Sequence, residues 1–175
     1  MLGYFSTEGR GTGDLMVKEV AARLQADGIP LAGVVQENVE RDPTRKCDME
    51  LHVLSGTTVI CISQNLGRHA RGCRLDPGGL EQAVGLVEAQ LAHEPALLIV
   101  NKFGKQELEG RGFRPVIGAA IAAGLPVLTS INAAHVEMFL DFAEGLADRL
   151  PPDPDAIFAW CVAQARGASL PAEAS

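Results

Sequence analysis

One feature constrains this chain more than any other: an apolar run that stops in a glycine-rich loop and restarts as a helix. Residues 2–6 are short and apolar, and Glu8, Gly9, Arg10, Gly11, Thr12 and Gly13 follow directly. Glycines permit the positive φ angles of a tight turn. From Asp14 onward, Leu15, Met16, Val20, Ala21 and Leu24 recur at helical spacing up to Gly28, a C-terminal cap. A strand, a tight loop and a helix in that order predict the first unit of an α/β sheet.

The rest of the chain repeats the alternation. Residues 31–36 read as a buried strand, and residues 47–54 and 57–62 pair as an antiparallel hairpin across Ser55 and Gly56. Asp76 caps and Pro77 begins a helix to about His93. Residues 96–101 are continuously apolar, the pattern of a strand covered on both faces. A polar loop over residues 102–111, a helix over 115–123 and a strand over 125–131 follow. Asn132 is expected to cap a helix reaching about Arg149, and prolines at 151, 152 and 154 break the chain before a last helix containing Trp160. The expected fold class is α/β: a three-layer sandwich with a mostly parallel sheet plus an antiparallel hairpin. Residues 1–167 are expected to form one domain, with residues 168–175 fraying.

Composition narrows the function. Hydrophobic residues make up 47% and charged residues 21% of 175, a globular balance. The longest apolar runs fall well short of the roughly 20 residues that cross a bilayer. Residues 1–13 show no secretory pattern, so the chain is expected in the cytoplasm. Its net charge of −7 repels the phosphates that dominate nucleic-acid affinity. No nucleic acid and no membrane partner are expected; a homodimer is left open. Within residues 41–74, however, Arg41, Arg45, Lys46, Arg68, Arg71 and Arg74 face only Asp42, Asp48 and Glu50. That basic segment suits a small anion, with a solvated arginine-rich loop as the alternative. Cys47, Cys61, Cys73 and Cys161 form no C-x-x-C pair and match no zinc spacing, so no metal site is expected.

Open parallel sheets bind ligands at the carboxyl ends of their strands, which selects residues 7–13, residues 102–110 and the turn at Asn132. A glycine loop opening a helix aims backbone N–H groups and a positive dipole end at an anion. The full phosphate-loop pattern, G-x-x-x-x-G-K-[ST], also needs a Lys and a hydroxyl. Aligning Gly13 with its second glycine places Glu8 at the first, Asp14 at the Lys and Leu15 at the hydroxyl. The cofactor-binding candidates are therefore Gly9, Arg10, Gly11, Thr12, Gly13 and Asp14, with Arg10 and Lys18 the nearest cations to offset Asp14. The alternative is that the glycines only let strand and helix pack.

The succession Leu97-Leu98-Ile99-Val100-Asn101-Lys102-Phe103-Gly104-Lys105-Gln106-Glu107, then Gly110-Arg111-Gly112-Phe113, then Gly124-Leu125-Pro126-Val127-Leu128-Thr129 resembles the P-loop nucleoside-triphosphatase family typified by small thermophilic enzymes. It is more similar still to an uncharacterised bacterial domain-of-unknown-function family related to those enzymes, with an N-K-F-G-K-x-E segment and a C-D-M segment, here Cys47-Asp48-Met49. The resemblance covers most of residues 2–150 and implies a P-loop fold with a degenerate phosphate loop. In those enzymes the strand ends in an Asp-Glu pair that holds Mg²⁺. Here Asn101 and Lys102 stand in that place, so Mg²⁺ is not expected.

Lys102 or Lys105 is then expected to approach a phosphate, and Glu107 is the carboxylate placed to act as base or water holder; a solvated Lys105 and Glu107 pair is the alternative. Arg71 and Arg74 are expected to clamp phosphate bidentately, beside Cys47 and Cys73, which read as buried structural cysteines. His135 and Glu137 are equally well explained as surface polarity. These features predict binding of a nucleotide or other phosphorylated or oxyanionic ligand, with weak or no triphosphate hydrolysis. The alternatives are a triphosphatase with substitute residues and a non-catalytic accessory protein, for which the resemblance adds molybdate or metal handling. If Asp14 faces solvent at the helix start, Asp14→Lys should tighten ATP binding a few fold.

Overall fold

The computed structural model of the protein describes residues 1–67, 69, 71 and 74–168. β1 (Leu2–Thr7) leads through the glycine loop into α1 (Thr12–Ala26). That helix closes where Gly28, at φ 73°, lets the Ile29 N–H reach the Leu24 carbonyl at 3.1 Å. β2 (Leu31–Val39) is followed by β3 (Asp48–Val53) and β4 (Val59–Cys61). The Asp76 carboxylate accepts the Gly78 N–H at 3.0 Å and Pro77 presets φ, which starts α2 (Pro77–Gln90). Then come β5 (Leu97–Phe103), α3 (Lys105–Leu108), α4 (Arg114–Ala122), β6 (Val127–Asn132), α5 (Val136–Ala143), β7 (Ala147–Arg149) and α6 (Pro154–Ala168).

The seven strands form one sheet in the order β4-β3-β2-β5-β6-β1-β7. β2, β5, β6, β1 and β7 are parallel, and β3 and β4 extend the sheet antiparallel beyond β2. Alternation along each strand divides the core. Phe5, Leu31, Val35, Leu97, Ile99 and Leu128 meet Val17, Val20 and Leu24 of α1 and Ile157 and Cys161 of α6. Their neighbours Tyr4, Ala32, Val34, Leu98 and Val100 meet α2, α4 and α5 on the other face. The three-layer sandwich, the mostly parallel sheet and the hairpin expected from the sequence are all present.

One irregularity positions the site. β5 pairs with β6 through Val100 and resumes at Lys102, leaving Asn101 as an extra residue. Such a bulge inverts the alternation beyond it. Phe103 therefore packs on the same face as Leu98 and Val100, its ring centroid 5.1 Å from Phe139 and 5.0 Å from Phe142. The bulge also leaves Asn101 free to turn its side chain toward α1.

Three local expectations need correcting. Asn132 does not open a long helix: its side chain accepts the Ala134 N–H at 2.9 Å to cap a short turn, and α5 begins at Val136. Nor does that helix reach Arg149. Glu144 (φ 47°) and Gly145 (φ 82°) turn the chain left-handed, and β7 follows as an edge strand beside β1. The polar loop after β5 contains α3, one helical turn. Among the described residues no helix is long and apolar enough to cross a membrane.

Cys161 is completely buried in the α1/α6 layer, and this burial pushes its thiol up to about 12. The thiolate is the reactive form, so Cys161 should resist a thiol reagent in the native protein while exposed Cys61 reacts. Peptide mapping after brief labelling checks this. Equal labelling of the two would contradict the packing described.

Candidate functional site

Above the carboxyl ends of β1, β2, β5 and β6 lies a cleft of about 690 Å³, within the usual range of small-ligand sites. Its walls carry Thr7, Gly9, Arg10, Gly11, Gly13 and Asp14 from the glycine loop and the start of α1, and Gln36 and Asn38 from β2. Lys102, Ser130, Ile131 and Asn132 come from β5 and β6, while Lys46, Cys47, Met49, Arg71, Arg74 and Leu75 close the hairpin side. A second cavity of about 720 Å³ adjoins it, sharing Lys46 and Arg74.

Local backbone chemistry shapes the loop. Gly11 caps α1 at φ 82°, a left-handed conformation that suits glycine, and its carbonyl accepts the Leu15 N–H at 3.1 Å. Gly13 is needed for space: a Cβ there would lie 3.2 Å from Thr7 Oγ1 and 3.4 Å from Ser130 Oγ. The helix thus starts against the ends of β1 and β6.

Asp14 is 4% exposed. Its Oδ1 accepts the Asn101 amide at 2.8 Å and lies 3.5 Å from Lys102 Nζ, and its Oδ2 accepts the Asn38 amide at 3.2 Å. Asn101 is fixed in turn, since its Oδ1 accepts the Gln36 N–H at 2.9 Å and its carbonyl accepts the Ser130 hydroxyl at 2.6 Å. β2 and β5 pair by backbone only as far as Val34 and Val100. Past the bulge the Asn101 side chain takes over the backbone partner. The expectation that Asp14 faces solvent with room for a long side chain is therefore corrected: it is the buried acceptor of a polar network, with Lys102 beside it.

The cleft brings together Gly9, Arg10, Gly11, Gly13, Asp14, Lys102, Arg71 and Arg74 from the sequence-derived candidates. Thr12, the first residue of α1, and Asn101, 2% exposed beneath the cleft, do not line it. Lys105 points elsewhere and lies 3.9 Å from Glu109, its side chain 76% exposed. Lys18 pairs with Glu37 at 3.1 Å, so Lys102 and not Lys18 stands against Asp14. Arg74 donates to the Cys47 carbonyl at 2.8 Å, tying the two hairpin segments together. Cys47 is half-buried on the cleft wall; Cys73 lies outside the described residues. His135 and Glu137 do not line the cleft either.

Glu107 has a different occupation from the base expected of it. It is 4% exposed, and its two carboxylate oxygens accept the Gly104 N–H at 2.9 Å and the Phe113 N–H at 3.0 Å. It holds the loop between β5 and α4 and lies outside the cleft lining. Burial raises its pKa; the two N–H donors oppose the shift and Glu81 adds to it. A raised carboxyl value means that the folded chain holds this proton more tightly than the unfolded one. Its contribution to stability is full below the ordinary glutamate value of 4.5 and is lost as pH rises through the raised value. Glu107→Gln must turn an NH₂ group toward one N–H donor, so it should lower stability by about 1–3 kcal/mol. It should also lack this pH slope and leave the cleft's ligand affinity unchanged, which paired melts and titrations would measure.

Gln36, Asn38 and Ser130 are the site residues that sequence reasoning missed. Their signal was polarity at the carboxyl ends of otherwise apolar strands. Among the described residues, no three His, Cys, Asp or Glu side chains group closely enough to hold a metal ion.

Comparison with known proteins fits this geometry. The crystal structure of THEP1 from the hyperthermophile Aquifex aeolicus matches with a TM-score of 0.63 at 16% sequence identity, covering 91% of this chain and 94% of that one. The shared fold is α/β and P-loop-like. The molybdenum import ATP-binding protein ModC 2 of Bradyrhizobium diazoefficiens is 35% identical over 147 residues, which are 84% of this chain but only 16% of the relative. The model of DUF2478, a protein of unknown function, matches residues 4–160, and the chain belongs to that family.

Proposed function

We propose that the cleft binds a nucleotide or another phosphorylated or oxyanionic ligand, and that the protein hydrolyses nucleoside triphosphates weakly or not at all. The observation that carries this is the charge of the lining. In a chain of net charge −7, the cleft wall bears Arg10, Lys46, Arg71, Arg74 and Lys102 against Asp14 alone, among the described residues. The backbone of Gly9, Gly11 and Gly13 and the start of α1 add N–H groups and a helix dipole of the same sign. The fold shared with THEP1 and the kinship with an ATP-binding protein support the same reading. Weak hydrolysis is favoured by the carboxylates: Asp14 already accepts two amide donors, and Glu107 is engaged outside the cleft.

Titration calorimetry with ATP, ADP, inorganic phosphate and molybdate tests the reading. At least one anion should bind, more weakly as salt rises, and Arg71→Ala with Arg74→Ala should weaken it by about tenfold or more. Phosphate release from ATP should stay far below the median enzyme turnover of about 10 per second. Rapid turnover would favour a triphosphatase with substitute residues. The kinship with a molybdenum import protein favours one second reading, an accessory module that takes molybdate. Preference for molybdate over ADP in the same titration would select it.

A further inference from the structure

P-loop folds ordinarily neutralise bound phosphate with Mg²⁺, held by a hydroxyl and a carboxylate. The residues here do not fit that ion, which needs several oxygen ligands in near-octahedral array. Among the described residues Asp14 supplies the only carboxylate on the cleft wall. One of its oxygens accepts the Asn101 amide at 2.8 Å, with the Lys102 ammonium 3.5 Å away, and the other accepts the Asn38 amide at 3.2 Å. The Ser130 hydroxyl is directed at the Asn101 carbonyl. Each Asp14 oxygen already accepts an amide proton, and the Lys102 ammonium stands beside one of them.

We infer that the cleft takes its ligand as the metal-free oxyanion, with the Lys102 ammonium, moored on Asp14, as the built-in counter-cation. This rests on the anion-binding reading above and narrows its ligand class. The pair inverts the usual polarity: the acid sits at the helix start and the cation at the end of β5. Asp14 is the fixed partner, its side chain 5% exposed, whereas that of Lys102 is 44% exposed and faces the cleft. The ammonium can therefore keep its mooring while its remaining N–H donors meet an anion. A phosphate already chelated by Mg²⁺ brings a hydrated cation toward Arg10, Arg71, Arg74 and Lys102. It also has fewer free oxygens for them, so Mg²⁺ competes with the protein for the ligand.

The test is calorimetric titration of the full chain with ADP, and separately with inorganic phosphate and molybdate, in EDTA and then in millimolar Mg²⁺. The ADP arm reports a nucleotide ligand and the other two a free oxyanion. Mg²⁺ alone should give no binding heat, and ADP should bind at least about threefold more weakly with Mg²⁺ present. Lys102→Ala should weaken the metal-free anion by about tenfold, with Lys102→Arg retaining most of the affinity, the effect of one charge-assisted contact. Lys102→Gln serves if the alanine variant does not fold. Tightening of ADP by Mg²⁺, or full affinity in the Lys102→Ala or Lys102→Gln protein, would overturn this inference and leave the anion site standing. Failure of every anion to bind in either buffer would overturn both.

Discussion

Asp14→Lys is expected to destabilise the protein by about 3–5 kcal/mol and to bring no gain in ATP affinity. The substitution removes the acceptor for the buried Asn101 amide, and one unmet donor costs about 1–3 kcal/mol. It also sets a second ammonium beside Lys102 in a position that is 4% exposed, and an uncompensated buried charge is penalised by a comparable amount. A cation at the start of α1 opposes the helix dipole as well. Together these should lower the melting temperature by about 10 °C. Asp14→Asn keeps one acceptor and adds no charge, so its melt should fall between the variant and the natural protein. An Asp14→Lys chain that melts normally and binds ATP more tightly would mean that Asp14 faces solvent and that the network does not form.

The same residue marks where sequence reading stopped. The strand, loop and helix around Gly9, Gly11 and Gly13 were legible because glycine turns and apolar periodicity are local signals. So were the buried strand β5 and the start of α2 at Asp76 and Pro77. An acid at the start of a helix ordinarily faces water, and nothing near Asp14 in sequence says otherwise. Its burial follows from Asn38 and Asn101, brought in from β2 and β5. The bulge at Asn101 arises from the pairing of β5 with β6, which no local preference encodes. Glu107 misled for the opposite reason. A carboxylate near a strand's carboxyl end suggests chemistry until its oxygens are seen to hold Gly104 and Phe113. The last missed element, β7, is three residues with a polar Asp148 and Arg149. Phe139, Phe142 and Leu146 before it keep helical spacing in the sequence, although the left-handed turn at Glu144 and Gly145 ends the helix.

Gly33→Ala should be the most damaging single methyl addition, lowering stability by more than about 4 kcal/mol or preventing folding. Gly33 lies in the middle of β2 at φ 122°, a region that L side chains rarely adopt. A Cβ there would lie 2.7 Å from the Ile99 carbonyl carbon and closer still to its oxygen, which is backbone of the adjacent strand and has no room to yield. The same conformation turns the Gly33 N–H to the buried Gln90 Oε1 at 3.0 Å and its carbonyl to the Leu54 N–H at 2.9 Å. Gly33 thus fixes β2 against its neighbours just before Gln36 and Asn38, the residues that hold Asn101 and Asp14. Gly28→Ala is the control. It also has positive φ, 73°, but a Cβ there meets nothing within 4 Å, so its cost should be only the left-handed strain of about 1–2 kcal/mol. Denaturant melts of the two variants should differ by several kcal/mol. If Gly33→Ala is as mild as Gly28→Ala, the close approach of β2 to the Ile99 backbone is wrong, and with it the route from Gly33 to the cleft.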